Sequence, residues 1–302
     1  MRRLTAAVAL VALLIPAPAF AWGFETHKFI MSRAIDMLPA SIRPFYEANR
    51  AFIVEHVIDP DLWRTAGFTE ESSRHFIDMD NYGKYPFSDL PRDYEEALRK
   101  FGIDKLTSNG LLPWRAAEMS GNLFRTFGSL KTGPRYISVN VRLFSAVVGH
   151  YFADATQPFH AIANFNGQFT GQNDVHYRFE DDLPVKYASQ LNIQPPPLRP
   201  VPNARDFIFD RLVDTAQQAP LVLAADREAL GDAPTYDARY FDAFFARTKP
   251  ILERQIGAAI SDVASVITAQ WEQAGHPELA VNPPPAPPAA RRRAPTTAPA
   301  AP

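Results

Sequence analysis

Seven histidines are spread over a chain of 302 residues that contains no cysteine, and five of them stand where a metal ion could use them. His150 and Asp154 are four residues apart, so on a helix they share one face. His176 and Glu180 repeat that spacing. His160 follows Asp154 by six residues, just past Pro158, and His75 opens the run His-Phe-Ile-Asp78. His27 lies near the N-terminus, and Asp59 and Asp61 flank Pro60. An isolated H-x-x-x-D is more often a hydrogen-bonded pair inside a core, because the two groups satisfy each other there. Two such pairs with three further histidines point instead to zinc, whose usual ligands are imidazole and carboxylate. Without cysteine there can be no thiolate zinc site, iron–sulfur cluster, disulfide framework or cysteine nucleophile. His56 and His276 have no matching carboxylate and read as non-ligands, His56 packing or capping at a helix end and His276 in a surface loop.

The N-terminus adds one more donor. Met1-Arg2-Arg3, an apolar run from Leu4 to Ile15, Pro16-Ala17-Pro18 and Ala19-Phe20-Ala21 form the pattern of an export signal cleaved after Ala21. The run is too short for a permanent membrane helix. A periplasmic or secreted destination is expected, with a mature chain beginning at Trp22. A freed α-amine can donate a lone pair to a metal, whereas the amide nitrogen of an unprocessed chain cannot.

The elements that must position these groups read as helices. Hydrophobic residues make up 46% of the chain, enough for a sizeable core, and period-two alternation is absent. Thr26 is a candidate N-cap for a first helix with Phe29, Ile30, Ala34, Ile35 and Leu38 on its apolar face. Further helices are expected over 42–57, 94–101, 113–130, 136–156, 204–219, 236–246 and 251–274. Trp114, Ala117, Met119, Leu123 and Phe124 are core candidates on the segment 113–130. The run 136–156, closed by Pro158, should be a buried central helix. Gln194 to Pro202 is a stiff proline-rich connector. The expectation is all-α, with a signal peptide at 1–21, a single multi-helix domain at 22–277 and a Pro/Ala-rich disordered tail at 278–302. Outside Arg2, Arg3 and Arg291 to Arg293, 26 basic residues face 33 acidic ones, a charge of about −7. Such a body repels phosphodiesters unless cations are added to it.

The motifs resemble those of the zinc-dependent phospholipases C and the S1/P1 nucleases. The matching residues are Trp22-Gly-Phe-Glu-Thr-His27, His75-Phe-Ile-Asp78, His150-Tyr-Phe-Ala-Asp154-Ala-Thr-Gln-Pro-Phe-His160 and His176-Tyr-Arg-Phe-Glu180. They span Trp22 to Glu180, over half the chain, and the central block is the most specific of them. The resemblance implies an all-α fold of the phospholipase C/P1 nuclease type and three Zn2+ ions. The first would be held by Asp61, His75, His150 and Asp154. Asp154 would bridge to a second, which also takes His27 and the α-amine and carbonyl oxygen of Trp22. His160, His176 and Glu180 would hold the third. Asp61 stands fourteen residues before His75 and three before Arg64, which suits the family, while Asp59 is the alternative and otherwise caps the turn at Pro60.

In the expected chemistry a zinc-activated hydroxide attacks phosphorus in line, with Asp61, Arg64 and Asp154 as candidate catalytic residues. Arg64 is either a bidentate phosphate clamp or a solvated arginine. Asp78 either binds substrate or, the favoured reading, orients His75 as a hydrogen-bond acceptor. The first-helix pattern, Glu180 where the nucleases usually carry Asp, the short interval from His160 to His176 and Ala163-Asn-Phe165 favour a phospholipase C. The five-residue step from Trp22 to His27 and the presence of Arg64 favour an S1/P1-type nuclease cleaving single strands. The balance falls on phospholipid as substrate, and a non-catalytic zinc-binding protein is a third reading. Phe68, Tyr82, Tyr85, Phe87, Phe165 and Phe169 could line acyl chains or stack bases. A monomer is expected, with no stable protein partner and at most transient contact with a membrane surface.

Overall fold

A computed structural model describes residues 22–131, 137–233 and 235–281. The chain is all-α, with no strand among the described residues. Its helices are α1 (Phe24–Met37), α2 (Arg43–Ala48), α3 (Arg50–Glu55), α4 (Asp59–Thr65), α5 (Tyr94–Phe101), α6 (Ile103–Ser108), α7 (Leu112–Gly128), α8 (Ile137–Asp154), α9 (Val175–Tyr177), α10 (Leu183–Lys186), α11 (Ala204–Ala216), α12 (Ala219–Leu230) and α13 (Ala238–Gln273). The cleavage position after Ala21 and the tail from 282 onward lie outside the described residues. Leu279, which composition assigns to the tail, packs against the core.

Helix α8 sits at the centre. Every residue from Ser145 to Asp154 is buried, as befits a helix apolar on all sides. It packs on α7, α13, α1, α3 and the 3-10 turn His56–Ile58. Gly149 lets α1 come close: a Cβ there would stand 2.8 Å from the Met31 sulfur. Trp22, fully buried, fastens the start of the described chain to the end of α8, its indole N–H donating to the Ala153 carbonyl at 3.0 Å.

Several expectations need correction. Thr26 does not cap α1. It lies inside the first turn, and the cap is Gly23. The helix expected over 42–57 breaks at Asn49, whose side chain donates to the Phe45 carbonyl and so competes with the helical ladder. It ends in the 3-10 turn, and α4 follows with Pro60 in its first turn. The segments 236–246 and 251–274 form one helix, α13, running through Pro250. An interior proline costs about 3 kcal/mol, but Phe244, Phe245, Thr248, Leu252 and Ile256 are all buried around it, and that packing outweighs the loss. Helix α12 has no counterpart among the expected elements. Phe124 and Phe29, expected in the core, are 39% and 40% exposed.

Candidate metal centre

Seven elements deliver the eight candidate side chains. His27 comes from the first turns of α1, and Asp61 from the first turn of α4. His75 follows the 3-10 turn Thr69–Arg74. His150 and Asp154 occupy the last turns of α8. His160 ends the 3-10 turn Pro158–His160, which Gln157 caps by accepting the Phe159 N–H. His176 sits in α9, and Glu180 in the π turn Arg178–Asp182 that follows. All eight are at most 3% exposed.

Asp154 is the hub. Its Oδ2 lies 3.2 Å from His75 Nδ1 and 3.3 Å from His150 Nε2. Its Oδ1 lies 3.2 Å from His27 Nε2 and 3.8 Å from His160 Nδ1. His75 Nδ1 is also 3.0 Å from His150 Nε2 and 3.7 Å from Asp61 Oδ1. Ligands at roughly 2.0–2.2 Å around a tetrahedral zinc are about 3.3–3.6 Å apart. The edges from His75 therefore match a tetrahedral cage, and the second oxygen of Asp154 is turned to a different imidazole. Three groups of side chains could each hold a metal ion: His27, Asp61 and His150; His75, His150 and Asp154; His160, His176 and Glu180. In the last group His176 Nε2 is 2.8 Å from Glu180 Oε2, and His160 Nε2 is 3.9 Å from it.

The donor atoms also lack ordinary partners. Both nitrogens of His27 and of His176, both oxygens of Asp61, His160 Nδ1, Asp154 Oδ1 and Glu180 Oε1 are buried without a hydrogen bond among the described residues. Orphaned buried polar atoms each cost on the order of 1–3 kcal/mol, so a cluster of them fits a bound cation. Burial drives His160 and His176 down to about 3, which keeps them neutral, the form a metal needs. Burial also lowers His27, helped by the neighbouring His150. Burial opposes ionisation of Asp154, but its electrostatic attraction to the surrounding imidazoles, His150 foremost, holds it well below the usual carboxylate range. Glu180 goes the other way, pushed well above that range by burial, with Asp61 and Asp154 adding repulsion.

A cavity of about 160 Å³ opens beside the cluster, lined by Arg64, Ser72, His75, Phe76, Phe159, His160, Phe165 and His176. Arg64 is not a solvated arginine: its side chain is 14% exposed, and its Nη2 lies 3.5 Å from Asp61 Oδ1. Asp59 turns away from the cluster to pair with His56 Nδ1 at 2.8 Å, which also gives His56 the carboxylate partner the spacing did not suggest. Asp78 does not orient His75. Neither His75 Nε2 nor Asp78 Oδ1 has a hydrogen-bond partner among the described residues, and burial together with Asp80 pushes Asp78 up to about 7. Of the six loop aromatics, Tyr82 and Phe87 are buried, whereas Phe68, Tyr85, Phe165 and Phe169 are exposed.

No protein-family model matches the sequence, and no curated protein matches it. One solved structure similar to this chain is the alpha toxin from Clostridium absonum. The two are 14% identical, with a TM-score of 0.49, over 87% of this chain and 66% of the toxin. This chain thus spans just under two thirds of the toxin's length. The reading of the site rests on its own geometry.

Several side chains that hold the ligands in place are not themselves candidate ligands. Gln157 Nε2 donates to Glu180 Oε2 at 2.8 Å while its own Oε1 caps the turn bearing His160. Glu71, 2% exposed, accepts from the Tyr151 hydroxyl and from Arg74, and the Tyr151 ring packs on His75 and His150. Only Gln157 was signalled in advance, by its place inside the H-x-x-x-D-x-x-Q-P-x-H block.

Proposed function

We propose that this protein is an exported, zinc-dependent phosphoric ester hydrolase holding three Zn2+ ions, with a glycerophospholipid as its substrate. The observation that carries the reading is the Asp154 carboxylate, whose two oxygens address different imidazoles inside a shell of buried atoms that have no other partner. In this reading Asp61, His75, His150 and Asp154 hold one ion. Asp154, His27 and the freed terminus of Trp22 hold a second, and His160, His176 and Glu180 a third. When bound, the ions would supply Lewis acidity toward a phosphoryl oxygen and bring the pKa of a water toward neutrality.

The chain's own groups have distinct tasks. Arg64 faces the cavity beside His75, His160 and His176, and its planar fork suits two phosphate oxygens. The contact with Asp61 at 3.5 Å restrains that fork. Phe76, Phe159 and Phe165 give the same cavity an apolar lining. Because the cavity reaches three of the candidate ligands, the cluster has an open side, which favours catalysis over a closed zinc store. Leu62 on α4, with Phe68 and Phe169 on loops, is exposed, and the three would supply apolar surface for acyl chains.

Single-stranded nucleic acid is the second reading, favoured by Arg64 together with the Phe76 and Phe165 rings, which could stack bases. Export rests on the segment 1–21. No helix among the described residues is long and apolar enough to cross a membrane. The test is a side-by-side assay of the chain processed at Trp22, on bis-p-nitrophenyl phosphate, phosphatidylcholine and single-stranded DNA. Hydrolysis of the first and second, lost on chelation and restored by zinc, is expected. DNA cleavage without phosphocholine release would move the assignment to a nuclease. A zinc-loaded protein inert on all three substrates would leave a binding protein.

A further inference from the structure

The third candidate group is the least self-supporting. His176 and Glu180 ride on one turn of helix followed by a π turn, a segment too short to hold its own shape. Between them lies Arg178, whose side chain is only 6% exposed and whose guanidinium points into the protein. Residues two apart on a helical turn face opposite sides, so Arg178 reaches away from the ligands. Its Nε donates to the Tyr240 hydroxyl at 2.8 Å, its Nη1 to the Asn173 carbonyl at 2.8 Å, and its Nη2 to Asp226 Oδ1 at 2.9 Å. The guanidinium carbon lies 3.9 Å from the centre of the Tyr236 ring. Asp226, on α12, is fully buried and also accepts from the Tyr240 hydroxyl of α13. Its other oxygen accepts from Gln172 Nε2 at 2.7 Å, and the same amide donates to the Leu223 carbonyl. One carboxylate on α12 therefore ties down both Gln172 and Arg178, the two ends of the stretch that contains His176.

We infer that Asp226, acting through Arg178, Gln172 and Tyr240, is a positioning residue for the His160–His176–Glu180 site and sets its metal affinity without touching the ion. The inference rests on the metal reading given above. The other candidate ligands make none of these contacts: His27, Asp61, His150 and Asp154 are carried by α1, α4 and α8, and His75 follows the 3-10 turn Thr69–Arg74.

A matched control exists in the same molecule. Asp262 on α13 is equally buried and equally engaged by arginine, with Arg211 Nε at 2.6 Å and Arg199 at 2.7 Å, but it fastens the proline-rich connector. The experiment compares processed wild type, Asp226→Asn, Asp262→Asn and the milder Tyr240→Phe. Zinc content is measured after dialysis against graded chelator, and amide hydrogen exchange is measured on the stripped proteins. Wild type and Asp262→Asn should retain three tight equivalents of zinc. Asp226→Asn should retain two, with the third weakened about 10–100-fold, the usual effect of losing a group behind a ligand. Tyr240→Phe should weaken the same equivalent less. Exchange over residues 172–182 should quicken in Asp226→Asn and not in Asp262→Asn. Equal zinc loss in both aspartate variants, or no loss in either, overturns the inference. Wild type without zinc would refute the metal reading instead, and the exchange comparison would still decide whether Asp226 holds the turn.

Discussion

The ligands around Asp154 and those around Glu180 use the same chemistry on opposite foundations. The first set stands on α1, α4 and the buried end of α8, and its central carboxylate is already compensated by imidazoles that keep it ionised. The second stands on two short turns in the segment after α8, and its carboxylate is pushed toward the neutral form by burial. The first is thus organised largely by packing. The second is a strained electrostatic arrangement that a cation would relieve. Metal should accordingly matter more to the local order of the second than of the first.

The largest effect should come from the hub. Under the proposed metal assignment Asp154→Ala would remove both oxygens shared by two ions, and the expected result is one retained zinc and a loss of phosphodiester hydrolysis of at least 100-fold, beyond that of an outer-shell change. Zinc analysis and the bis-p-nitrophenyl phosphate assay measure both, and three retained ions would dissolve the distinction between the sets. Next, Glu180→Gln should cost one zinc and change stability with opposite sign in loaded and stripped protein. The folded pKa of Glu180 is raised, so its contribution is complete below the unfolded value of about 4.5 and is lost as pH climbs through the raised value. At pH 8 the stripped variant should melt above stripped wild type, and the loaded variant below loaded wild type.

Saturating zinc should itself raise the melting temperature. One site filled at a hundred times its Kd adds about 2.7 kcal/mol, which for a domain of this size is about 5–10 °C. Hydrogen exchange should locate the gain mainly in 172–182 rather than in α8. The smallest effect concerns the loop that joins the two sets, where the Ile77 N–H donates to the His160 carbonyl at 2.8 Å. Neighbouring Asp78 is raised from 3.8 to about 7, so it contributes stability below pH 4 that is lost as pH rises through 7. Asp78→Asn should stabilise the protein at pH 8 by on the order of 2 kcal/mol and leave it unchanged at pH 4. Melts at the two pH values would show it.

Legibility in the sequence followed the range of the interactions. The helices α1, α5, α7, α8 and α11 could be seen because an apolar stripe repeats locally. Within α8, His150 and Asp154 stood out as polar groups on an otherwise apolar helix, and His176 and Glu180 by the same four-residue step. Asp61 was preferred to Asp59 on its spacing to His75 and Arg64 alone, because what separates them physically is which side of α4 faces α8, a matter of tertiary packing. Pro250 misled because a helix breaker is overridden by burial on both sides of it. Arg178 and Asp226 were invisible. A buried ion pair between residues 48 apart has no local pattern, and each residue alone reads as an ordinary solvated charge.

Pro250 has a mechanical consequence. On one side of it, Tyr240 grips the turn that carries Glu180. On the other, Gln255 Nε2 donates to the Thr156 carbonyl, two residues past Asp154. Those grips are fifteen residues apart on a single rod, about 22 Å at the usual rise. The spacing between the two ligand sets is therefore gauged by one stiff beam with a notch cut between its supports, and a small flex at that notch would change both sets together.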